Sequence, residues 1–130
     1  MLNTKTKELR AHPRYPMRWP VALVFDETDT RSTLQGAVHD ISAEGASILT
    51  DINIFSVAPV TVLIAIPPLH AGQRKTIVEV RGRMRYTVHS SAHGRFRIGI
   101  HFETFVADGR AVLQRSLKER AMGLSAEMHS

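Results

Sequence analysis

Cysteine is absent from this chain, which excludes a disulfide framework, a thiolate nucleophile and a zinc knuckle. Long apolar runs are missing too. Residues 60–66 form a compact apolar stretch, far short of a membrane span. The opening Met1-Leu-Asn-Thr-Lys-Thr-Lys-Glu8 lacks the apolar centre of a signal peptide. These absences point to the reducing cytosol and away from a membrane. Catalytic signatures are also lacking: there is no P-loop, no G-x-S-x-G, no H-E-x-x-H and no carboxylate pair on a rigid element. Nothing suggests an enzyme. The seven histidines show no ligand spacing, since His89 and His93 fall in a hairpin instead of on one helix face, so no metal is expected. Trp19 is the single tryptophan; flanked by Arg18 and Pro20, it reads as core or lid packing.

What the chain does have is arginine. Its 130 residues suit one domain with one core, and 43% hydrophobic with 22% charged residues is ordinary for a globular protein. The net charge of +5 is unevenly laid out. Residues 1–19 carry Lys5, Lys7, Arg10, Arg14 and Arg18 against Glu8 alone, and residues 20–73 are acidic. Residues 74–97 return to positive charge through Arg74, Lys75, Arg81, Arg83, Arg85, Arg95 and Arg97. If the basic N-terminus lies beside the third segment, they form one cationic patch. Arginine outnumbers lysine 13 to 4, favouring planar, bidentate recognition over diffuse charge. A solvated basic face is the plainer reading of the same count.

Periodicity predicts an all-β body with a closing helix. Val21, Leu23 and Phe25 alternate in a first strand, and residues 34–41 form a second. Val38 and Ile41 are three apart, which predicts a bulge near Asp40. Residues 45–50 begin a third strand. Val60, Val62, Ile64 and Ile66 make a fourth, stopped by Pro67-Pro68. In the fifth, Val78, Val80, Gly82, Met84, Tyr86 and Val88 share the inward phase, with Arg81, Arg83 and Arg85 outward. The sixth turns Phe96, Ile98, Ile100 and Phe102 inward. Asp108 fits a helix N-cap, and Leu113, Leu117, Ala121 and Leu124 a buried stripe, with Gly123 as the stop. The expected fold is mainly β: a six-stranded antiparallel β-barrel with a C-terminal α-helix. Residues 1–8 are expected to be a flexible arm, 9–122 the domain, and 123–130 a disordered tail.

Two short motifs carry the chemistry. Arg10-Ala-His-Pro-Arg14 places two guanidinium forks on a segment that proline biases away from helix. Such forks read the O6/N7 edge of guanine and grip phosphates. Asp40-Ile-Ser-Ala-Glu-Gly45 is a polar, glycine-ended turn at a strand edge. Its carboxylate can accept from guanine N1–H and N2–H₂, or pair with a nearby arginine, and its serine can serve a ligand or merely the turn.

Together these elements resemble the paired R-x-x-x-R and D/N-x-S-x-x-G signatures of the PilZ family of cyclic di-GMP receptors. The resemblance covers roughly residues 9–120. It implies a barrel of the kind already expected and a ligand-binding set of Arg10, Arg14, Asp40, Ser42, Gly45 and Gly99. Gly99 belongs by its place in Gly99-Ile-His-Phe102, where a bare outward position would let a base lie on the barrel wall; it serves equally as a twist-relieving strand glycine. The implied ligand is cyclic di-GMP, with no other cofactor. Binding would draw the arm onto the barrel, and a downstream protein partner would read the change.

An alternative is a PilZ-like adaptor that binds no nucleotide, as in pilus biogenesis. A single-stranded nucleic-acid barrel ranks last, because such sites interleave exposed aromatics with charge and Tyr86, Phe96 and Phe102 all fall on the inward phase. Outward Val24 and Leu63 leave monomer and homodimer both open.

Overall fold

The structure is a computed structural model, and it describes residues 13–25 and 32–129, with side chains as far as residue 121. Six strands follow in order: β1 (Pro20–Phe25), β2 (Ser32–Ile41), β3 (Gly45–Thr50), β4 (Val60–Ile66), β5 (Thr76–Ser90) and β6 (Arg95–Phe105), before helix α1 (Gly109–His129). All pairings are antiparallel, and the strands close into a barrel in the order β1-β2-β3-β6-β5-β4. Closure matters because it leaves no long edge strand for another chain to extend. The β1–β4 pairing completes it, with Leu23 lying between Leu34 on β2 and Val62 on β4.

The barrel is filled by the predicted inward phases. Leu23, Val38, Ile41, Ile48, Ile64 and Ile98 have no exposed surface. Burial of one such side chain stabilises the fold by about 1.5–3 kcal/mol. Leu113 and Leu117 bring α1 into the same core, at 0% and 3% exposure. Asp108 caps the helix through its backbone, its carbonyl accepting from the Val112 N–H. Trp19 is buried with Arg120 of α1 above its ring, and the same guanidinium donates to the Pro67 carbonyl. The helix, the residue just before β1 and the β4–β5 turn are thereby tied together.

Three details depart from the sequence-based expectation or refine it. The β2 bulge falls where the phase slip predicts, with the register shifting between Val38 and Asp40. In β5, by contrast, a second bulge at Arg85 reverses the phase: Met84 pairs with Ile100, but Tyr86 pairs with Gly99. Tyr86 and Val88, expected inside, are therefore 36% and 42% exposed. The cause lies in the partner strand, since an extra residue on β5 has no signature in its own alternation. Thirdly, α1 runs through Gly123 to His129, where a stop and a disordered tail were expected. One helical glycine costs only about 1 kcal/mol relative to alanine, and the surrounding Ala, Met, Leu and Glu favour helix.

Candidate ligand-binding face

The segment from Pro13 to Trp19 runs beside β2 and is held by its backbone. Tyr15 and Ile41 exchange two hydrogen bonds, of 2.9 and 3.0 Å, and the Trp19 carbonyl accepts from Val38 at 2.9 Å. Met17 and Trp19 anchor it from the core side. Arg18 staples the bulge, donating to the carbonyls of Val38 (3.4 Å) and His39 (3.0 Å). A strap built this way carries Arg14 to the outer face of the barrel.

There Arg14 Nη1 reaches two acceptors, Asp40 Oδ1 and Ser47 Oγ, each at 3.4 Å. The Arg14 and Asp40 side chains remain 33% and 28% exposed. A half-solvated pair of this length contributes about 0–1 kcal/mol. It holds the fork in place loosely enough to be exchanged.

Strand register explains why these groups meet. Asp40 pairs with Ser47, Ser47 with Gly99, and Gly99 with Tyr86, giving one outward row across β2, β3, β6 and β5. The Tyr86 and Ser47 hydroxyls are hydrogen-bonded at 3.1 Å, so the tyrosine spans β6 over Gly99. A Cβ on Gly99 would fall within 2.7 Å of Tyr86 Cδ2 and nearer still to Cε2 and Cζ. The bare position on the barrel wall is thus filled by a protein ring.

Ser42 and Gly45 play structural parts in this arrangement. Ser42 is 3% exposed; its Oγ accepts from the Glu44 N–H at 3.1 Å, and its N–H donates to the Gly45 carbonyl at 2.9 Å. A Cβ on Gly45 would collide with the Ile100 carbonyl oxygen, so glycine is needed for β3 to approach β6. Of the six expected ligand residues, Arg14, Asp40 and Gly99 share the outward row. Ser42 and Gly45 shape the turn below it, and Arg10 lies outside the described residues.

Sequence reasoning missed Ser47, Tyr86, His39 and Arg97. Ser47 was legible, two residues past Gly45 on the outward phase; Tyr86 was hidden by the second bulge. His39 occupies the β2 bulge, and burial lowers its pKa below the usual histidine value. Asp40 opposes that shift, while Arg18, His93 and Arg97 add to it. Among the described residues no group of three or more histidines, cysteines or carboxylates is placed to hold a metal ion. No described helix is long and apolar enough to cross a membrane.

The architecture is a closed six-stranded antiparallel barrel with a basic strap laid against its outer wall and one C-terminal helix. The PilZ domain family model matches residues 8–119, and the chain belongs to that family. No curated protein matches it significantly. Among solved structures, it is similar to the Bacillus subtilis inhibitor of motility MotI/DgrA, with a TM-score of 0.67 and 16% identity over 86% of this chain and 51% of that one. It is also similar to Escherichia coli YcgR in complex with c-di-GMP, with a TM-score of 0.64 and 17% identity over 92% and 50%. The K. pneumonia MrkH–c-di-GMP complex gives 0.62 and 12% over 91% and 55%. At these identities the likeness establishes the fold, and the chain spans about half the length of each neighbour.

Proposed function

We propose that this protein is a cyclic di-GMP receptor of the cytoplasm, a binder and not a catalyst, which signals to a separate protein. Its ligand-binding set is Arg10, Arg14, Asp40, Ser42, Gly45 and Gly99, in a unit spanning residues 9–122. The observation that carries the reading is that Arg14 and Asp40, one residue from each motif, meet on one corner, with the Arg14 fork against Asp40 and Ser47. The YcgR and MrkH neighbours are complexes with c-di-GMP, which supports the same ligand here. Arg14 exchanges its weak internal acceptors for a guanine edge or phosphate, and the freed Asp40 accepts from guanine nitrogens.

Transmission to a partner is supported by what lies beneath the strap. Pro13, Tyr15, the turn residue Ala43 and helix residues Gln114, Leu117 and Lys118 line one groove of about 320 Å³. Repositioning the strap alters the wall of that groove, and so the surface that α1 offers to another protein.

Titration calorimetry with cyclic di-GMP tests the reading. The wild type should bind, and Arg14→Ala and Asp40→Ala should each weaken binding by roughly ten- to a hundredfold. Absence of binding by the folded wild type would refute it. A PilZ-like adaptor without nucleotide is the rival, favoured by two observations: Tyr86 occupies the space over Gly99, and Arg14 already has protein acceptors.

A further inference from the structure

Among the described residues, two buried side-chain nitrogens lack a hydrogen-bond partner, His39 Nδ1 and Arg97 Nε. Both belong to one patch beside the Asp40 row. His39 sits in the β2 bulge, immediately before Asp40, with Arg18 bonded to its carbonyl. The His93 ring, from the β5–β6 turn, stands edge-on to the His39 ring with centroids 5.0 Å apart. Arg97 lies on the outward phase of β6, two residues before Gly99 and in register with Leu49. Leu49 is also outward, yet only 4% exposed and outside the core cluster, so this part of the outer wall is covered by side chains.

Arg97 is the anomaly. Three arginines among the described side chains are half-buried: Arg95, Arg97 and Arg120. Arg95 pairs with Asp51 at 2.9 Å, and Arg120 donates to the Pro67 carbonyl. Arg97 Nε has no acceptor among the described residues. A buried guanidinium N–H left without an acceptor is costly, and native structures rarely leave one so unless a further group completes it. Among the described groups that act on His39, Asp40 is the one carboxylate, set against Arg18, His93 and Arg97, and Arg14 already engages it. What the patch lacks is one anion.

We infer that Arg97 and His39 form an anion subsite beside Asp40 that takes one phosphodiester of the cyclic dinucleotide, and that His39 gains a proton as the phosphate arrives. This rests on the receptor reading above and adds residues that neither motif contains. The groups facing His39 are Asp40 on its own strand, Arg18 on the strap, Arg97 on β6 and His93 on the β5–β6 turn. Burial keeps the free imidazole neutral at neutral pH; Asp40, the next influence, opposes it, and Arg18, His93 and Arg97 each add a smaller push in the same direction as burial. A phosphodiester monoanion offsets those cations and favours imidazolium, so one proton moves from solvent to the ring on binding. Affinity therefore rises as pH falls through the bound-state pKa of His39 and levels off below the free-state value.

Calorimetry of the full chain with cyclic di-GMP near pH ~6, in two buffers of different ionisation enthalpy, reads this directly. The wild type should show buffer-dependent heat corresponding to proton uptake. His39→Gln should remove that dependence, and Arg97→Gln should weaken binding by about tenfold. Arg97→Lys, which keeps the charge without the fork, should fall between, and unchanged urea midpoints would confirm that the variants fold. Wild-type binding with buffer-independent heat, or with both glutamine variants matching it, overturns the subsite alone. Failure of the wild type to bind overturns the receptor reading and the subsite with it.

Discussion

Replacing Gly99 with alanine sets a methyl group against the ring of Tyr86, and the outcome can be worked from the geometry. Cδ2 of the ring would lie 2.7 Å from the new Cβ, with two further ring atoms closer. Since Tyr86 is a surface side chain, 36% exposed, the ring swings away and the backbone stays. The movement breaks the Tyr86–Ser47 hydrogen bond, costing about 0.5–1.5 kcal/mol. It also removes the ring's cross-strand packing, roughly 0.2–1 kcal/mol. Gly99 is not among the positive-φ glycines, so alanine fits the backbone and returns about 0.4–1 kcal/mol by restricting the unfolded chain. The net expectation is a loss of about 1 kcal/mol for Gly99→Ala in the wild type. In a Tyr86→Ala background the clash and the bond are both absent, and the same substitution becomes neutral or stabilising. A double-mutant cycle by urea denaturation should therefore give a coupling energy of about 1–2 kcal/mol. Equal effects of Gly99→Ala in the two backgrounds would refute the account of why glycine stands there.

Gly45→Ala should be worse, at about 1–3 kcal/mol or more, because the obstacle is the Ile100 carbonyl and the backbone cannot rotate aside; a urea midpoint near wild type would contradict this. Leu113→Ala should cost about 2–5 kcal/mol, since a fully buried anchor of α1 is truncated, measured by thermal or urea unfolding. For pH, burial holds folded His39 below its ordinary value of 6.5, so the unfolded chain takes up the proton first on acidification. The stability due to neutral His39 is complete above about pH 7 and declines as pH falls through the unfolded value toward the folded one. His39→Gln should flatten that limb of the profile; parallel wild-type and variant profiles would refute the assignment.

Most of the barrel could be read from local pattern. Alternation in residues 21–25, 60–66 and 96–102 reports which side of a pleated strand is buried, because side chains leave a strand on opposite faces in turn. The bulge beside Asp40 was legible for the same reason: Val38 and Ile41 both enter the core although they are three residues apart. The helix was legible from Leu113 and Leu117, while Gly123 misled, since one weak residue does not end a helix whose neighbours favour it.

The site divides along the same line. The chain order alone determined that arginine forks and a polar turn exist, and that Asp40 stands where β2 departs from regular pairing. Only the closed barrel decided which groups share a surface. Cross-strand register set Asp40, Ser47, Gly99 and Tyr86 in one row, and the bulge at Arg85 turned Tyr86 outward into it. The same register left Arg97 half-buried near His39, its Nε without an acceptor among the described residues. Alternation belongs to a single strand and is written in consecutive residues. Register and bulge placement depend on partners up to 56 residues distant, as between Gly45 and His101, and are decided only when β3, β6 and β5 pack.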